Sequence, residues 1–78
     1  MPGVRDTLGW IYLKKGMADQ ALPLFREAVL RNVHNESFRN HLLMALELHG
    51  DSVLARQLRA AIQAQNWDEV KQLLGPAH

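Results

Sequence analysis

Laid on itself at an offset of 34 residues, this chain repeats: Arg5 meets Arg39, Leu8 meets Leu42, Gly16 meets Gly50, Ala21 meets Ala55, Leu24 meets Leu58 and Asn32 meets Asn66. A period of that length marks a repeated pair of helices, a unit that covers its apolar face only by stacking on a neighbour. Most of the shared residues are small or apolar, as the contact between closely crossed helices requires. Ala21 and Ala55 sit where paired helices would meet, and Gly9 and Ala28 do the same in the first unit. The repeat therefore predicts an all-α fold of tandem antiparallel helix hairpins, a fragment of an α-solenoid with about five helices.

Apolar spacing places those helices. Val4, Leu8, Ile11 and Tyr12 recur at three- and four-residue steps, the stripe of a first helix that ends near Gly16. Ala21, Leu24, Phe25, Ala28 and Val29 form the stripe of a second, which fades by Arg31 and Asn32. Pro23 lies inside it, close enough to the first turn for the lost hydrogen bond to the Asp19 carbonyl to matter little. Asn35 offers an N-cap to a third helix, which carries Phe38, Leu42, Ala45 and Leu46 and ends at Gly50. A fourth opens at Asp51 or Ser52 and sets Leu54, Ala55, Leu58, Ala61 and Ile62 on one face. After the polar break Gln63 to Gln65, Asn66 and Glu69 resemble a capping box for a short fifth helix with Trp67, Val70, Leu73 and Leu74, and Gly75-Pro76 supplies a stop. The expected organisation is one domain over 1–78: a first unit at about 2–35, a second at about 36–66 and a closing helix at about 67–74.

These residues resemble the tetratricopeptide repeat, whose signature runs W-x2-L-G-x2-Y, then an Ala, three residues and a Phe, then a Pro. The first unit has Leu8-Gly9, Tyr12, Gly16, Ala21, Phe25 and Ala28, with Arg5 in place of the opening Trp and Val33 in place of the closing Pro. The second keeps Leu42, Gly50 and Ala55 but has Leu43 for the Gly, Leu46 for the Tyr, Arg59 for the Phe and Ile62 for the Ala. The resemblance covers roughly 2–66, and the last helix looks like the solvent-facing cap that closes such arrays. Asp6-Thr7-Leu8-Gly9-Trp10-Ile11-Tyr12 is similar to bacterial members, in repeats near the C-terminal end of longer proteins.

The resemblance implies a protein-interaction scaffold whose groove, lined by the first helix of each hairpin, receives an extended peptide or a partner helix. Its groove positions would fall on Asp6, Trp10, Leu13 and Lys14 in the first unit and on Asn40, Met44 and Glu47 in the second. Trp10 and Met44, one repeat apart, would form adjacent floor sites for apolar side chains of a ligand. The alternative is that they pack against each other and the neighbouring helix. Members that hold the C-terminal carboxylate of chaperones use Lys and Asn at set positions; here Asp6, Trp10 and Asn40 stand there, so the expected ligand is a neutral, mildly apolar segment.

Seventy-eight residues form one small domain whose core alone supplies only a few kcal/mol. Two units and a cap also fall short of the three or so repeats usually needed for stability. The first helix is therefore expected to lie open, with Val4, Leu8 and Ile11 partly exposed as an interaction site or an aggregation hazard. Two readings follow: a C-terminal piece of a longer array, or a structural self-assembly module in which copies pair through this face as a homo-oligomer.

Other chemistry is poorly provided for. The chain has no cysteine, which excludes disulfides, thiol catalysis and Cys-based metal sites. His34, His41, His49 and His78 include no HExxH and no i, i+4 pair. Ser37 and Ser52 stand where helix-capping serines are expected, outside any Gly-x-Ser-x-Gly turn, and Asp68-Glu69 suits a helix start. With nine Lys and Arg against eight Asp and Glu, nucleic acid is not an expected partner, although Arg56 and Arg59 share a face in the fourth helix. The longest apolar run, Leu42 to Leu46, is far too short to span a bilayer. No enzyme activity, cofactor, metal or membrane partner is expected, and a complete chain of this kind would be cytoplasmic.

Overall fold

The computed structural model describes residues 2–75; Pro76, half of the stop signal, and His78 lie outside them. Five helices follow one another: α1 (Pro2–Lys14), α2 (Ala18–Arg31), α3 (Glu36–His49), α4 (Ser52–Gln63) and α5 (Trp67–Leu74). There is no strand among the described residues. The molecule is all-α, and consecutive helices pack on each other as hairpins.

Three of the four connections close the same way. The Gly16 N–H donates to the Leu13 carbonyl at 3.0 Å and the Met17 N–H to that of Tyr12 at 2.9 Å, capping the last carbonyls of α1. Gly50 and Asp51 repeat this on Glu47 and Leu46, and Gln65 and Asn66 on Ile62 and Ala61. Each turn needs one left-handed residue, which glycine supplies freely at Gly16 (φ +75°) and Gly50 (φ +90°). At the third turn Gln65 adopts φ +55° with a side chain attached.

The helix starts sharpen and in part correct the sequence reading. Asn35 Oδ1 accepts from the Phe38 N–H at 3.0 Å, as an N-cap should. The cap of α4 is Asp51, which accepts from the Leu54 N–H at 3.4 Å, so Ser52 is the first helical residue and Ser37 the second of α3. Asn66 caps α5 through the Glu69 N–H at 3.2 Å, but its own N–H is given to the Ala61 carbonyl. The reciprocal arm of a capping box is thereby replaced by the turn that joins α4 to α5. α2 runs unbroken through Pro23.

α2 is the central element. It packs on α1, α3 and α5, and its Ala21, Phe25, Ala28 and Val29 are buried almost completely. Leu13 of α1, Val33 between α2 and α3, Leu42, Leu43, Ala45 and Leu46 of α3, Ala55, Leu58 and Ala61 of α4, and Val70 and Leu74 of α5 complete the core. The two hairpins divide their bulk differently. In the first, Phe25 of α2 lies against Gly9 of α1; in the second, Leu43 of α3 is buried and Arg59 of α4 turns outward to pair with Glu47. The contact of α5 with α2 closes the array on itself. The radius of gyration, 11.3 Å, is that of a compact chain of this length, about 11.5 Å.

Candidate functional site

α1 and α3, both antiparallel to α2, lie side by side. Asp6, Trp10 and Lys14 recur at four-residue steps and share a face of α1. A carboxylate can only accept, so the His41 Nδ1–H donates to Asp6, 2.8 and 3.0 Å from its two oxygens. The imidazole stacks on Trp10, with ring centroids 4.9 Å apart at 27°, and meets Phe25 at 5.7 Å. The Lys14 ammonium stands 5.7 Å from the Trp10 ring centroid. Trp10 is thus held in place by its own helix and by α3. With the Asp6 side chain only 13% exposed, Asp6→Ala is expected to lower the stability to urea by about 1–2 kcal/mol. An unchanged unfolding midpoint would show that this link does not tie α1 to α3.

The other groove positions divide. Leu13 is 8% exposed and belongs to the core, which corrects its placement in the groove. It lies one helical turn after Gly9, on the side of α1 that meets α2. Glu47 is paired with Arg59 of α4, which also removes Arg59 from a free cationic patch with Arg56. Asn40 is exposed at a shallow depression between α3 and α4, and Met44 is 40% exposed. His41 was not among the candidates. Its separation from Asp6, one residue more than the repeat, is the signal that sets the two side by side on parallel helices.

The outer face of α1 is open as the repeat predicts. Val4, Leu8 and Ile11 are 62%, 41% and 45% exposed, whereas Leu42 and Ala45, one repeat after Leu8 and Ile11, are 2% and 0% exposed. Phe38, the counterpart of Val4, is packed against the core. Elsewhere, an apolar cleft of about 270 Å³ lies among α2, α3, α4 and α5, walled by Leu22, Leu42, Leu46, Leu54 and Leu73 with Arg26 and Asp51. Trp67 is gripped by Arg39, 5.1 Å from its ring, and by the edge-on ring of His34 at 5.0 Å. Among the described residues, no group of three or more His, Asp or Glu could hold a metal ion, and no helix is long and apolar enough to cross a membrane.

No family model matches this chain, and neither a curated protein nor a solved structure matches it.

Proposed function

We propose that this chain is a tetratricopeptide-like interaction module that binds another protein, with the outer face of α1 as its principal contact surface. The observation that carries this reading is the row Val4, Leu8 and Ile11, left in water on a helix whose repeat counterpart buries two of the same positions, Leu42 and Ala45, and packs the third, Phe38, against the core. Covering apolar surface yields about 25 cal/mol per Å², so such a row gains by being covered. The groove is the second reading. Met44 is open one repeat from a rigidly held Trp10, and a neutral, mildly apolar segment would suit the pair. It ranks second because Asp6, Leu13 and Glu47 are already engaged within the molecule.

Neither reading uses a catalytic group or a cofactor. A photoreactive residue placed at Leu8 or at Met44, in the cells the chain comes from, separates the two. Protein adducts are expected from position 8. Adducts from position 44 alone would move the contact to the groove, and none from either would remove the case for an interaction module.

A further inference from the structure

The contact of α2 with α3 shows what a face of this kind accepts, because α3 is one repeat away from α1. Leu42 and Ala45 are buried and Phe38 is packed against the core where α3 meets α2, and a polar contact stands at each end of the pair. Near the start of α3, the Arg39 guanidinium donates to the Val33 carbonyl at 2.8 Å, just past the C-terminus of α2. At the other end, His49 Nδ1 lies 2.8 Å from the carboxylate of Asp19, in the first turn of α2. These two contacts define an antiparallel helix with an acid at its start and a free carbonyl at its finish.

The same pattern stands on α1, where no helix of the described residues covers it. Arg5 is the repeat counterpart of Arg39 and Lys15 that of His49; Leu8 and Ile11 run between them, and Val4 stands just before Arg5. Neither Arg5 nor Lys15 has a side-chain hydrogen bond or ion pair among the described residues. We propose that the outer face of α1 docks one antiparallel amphipathic helix of a partner protein, with an acidic residue in its first turn for Lys15 and a C-terminal carbonyl for Arg5. The proposal rests on reading α1 as the principal contact surface and adds what that surface recognises.

A second copy of this chain is the poorer occupant. α1 has no acidic residue in its first turn. Two α1 helices packed antiparallel would set Arg5 of each against Lys15 of the other, a like-charge contact made twice.

The test uses a peptide of residues 18–34, the α2 segment of this chain, titrated into the full chain while amide chemical shifts are followed. Shifts centred on Val4, Leu8 and Ile11 are expected. Leu8→Glu is expected to weaken binding at least about tenfold with the helical circular dichroism unchanged, since Leu8 is exposed. Asp19→Lys in the peptide is expected to weaken it about threefold, and Lys15→Glu in the chain to restore it. A footprint that depends on Leu8 but ignores the charge exchange overturns the recognition chemistry and leaves α1 as the contact surface. No binding up to about 1 mM, beside cellular adducts at position 8, does the same. A footprint away from α1, or a dimer of the free chain abolished by Leu8→Glu, overturns the proposed occupant.

Discussion

Replacing Phe25 by alanine is expected to cost about 3–5 kcal/mol, a loss on the scale of what a single core supplies to a domain of this size. Phe25 is fully buried and is the largest side chain at the centre of the fold, reaching Gly9 on α1 and the His41 ring on α3. The informative part of the experiment is its combination with Gly9→Ala. A Cβ on Gly9 would stand 2.9 Å from Phe25 Cε1 and 3.0 Å from Cδ1. These are atoms of a ring with no free side to move toward, so Gly9→Ala alone is expected to destabilise by about 1–3 kcal/mol. With Phe25 cut to alanine that collision disappears. The added methyl then enters vacated space, and alanine is the better helix former by about 1 kcal/mol, so Gly9→Ala is expected to become neutral or stabilising in that background. Urea unfolding of the four proteins of this cycle measures the coupling. Additive losses would mean that α1 and α2 do not meet through this pair.

Gly9 was legible beforehand as a small residue where two helices approach closely; that Phe25 is the side chain it admits emerges only from the packing. The helix bounds were legible as well. Gly16, Asn35, Gly50, Asp51 and Asn66 act through backbone freedom or a short side-chain oxygen, and such local devices are written in the residue itself. The turn at Gln65 shows where this ends. It is built like the two glycine turns, but the residue in the left-handed position carries no sign of it, because the packing of α5 on α4 imposes that conformation.

The surfaces were legible to different degrees. The open row on α1 follows from the repeat, since among the described residues no helix stacks on this face of α1 as α2 stacks on α3. The groove was harder to read, because a periodic position says which way a side chain sets out and not whom it meets. Leu13 turned to the core, and Glu47 met Arg59, a residue standing where the repeat pattern has Phe. His41 lay outside the pattern altogether, yet it organises Asp6, Trp10 and Phe25. Contacts between helices that are not neighbours in sequence depend on the sum of several crossing angles, and no single residue reports that sum.

A chain ended after Asn66 is expected to lose cooperative folding, a stronger outcome than the loss of a solubility cap. In an open repeat array each unit meets only its neighbours, and the terminal helix serves mainly to present a polar outer face. Here α5 reaches past α4 to α2, burying Val70 completely and Leu74 to 2% exposure. Burial of two such side chains contributes about 1.5–3 kcal/mol each, and Trp67 adds its contacts with Arg39 and His34. That sum again matches what a core of this size supplies. The full-length variant Val70→Asp controls for the shortened chain, because it leaves α5 in place but sets an unpaired carboxylate where no polar partner is buried. Both proteins are expected to show reduced helical circular dichroism and no sharp urea transition. A shortened chain that unfolds cooperatively within about 1 kcal/mol of the full one, a difference below the usual effect of a single buried side chain, would show that α5 is only a lid. The contact with α2 would then be incidental to the fold, and the two hairpins would be sufficient by themselves.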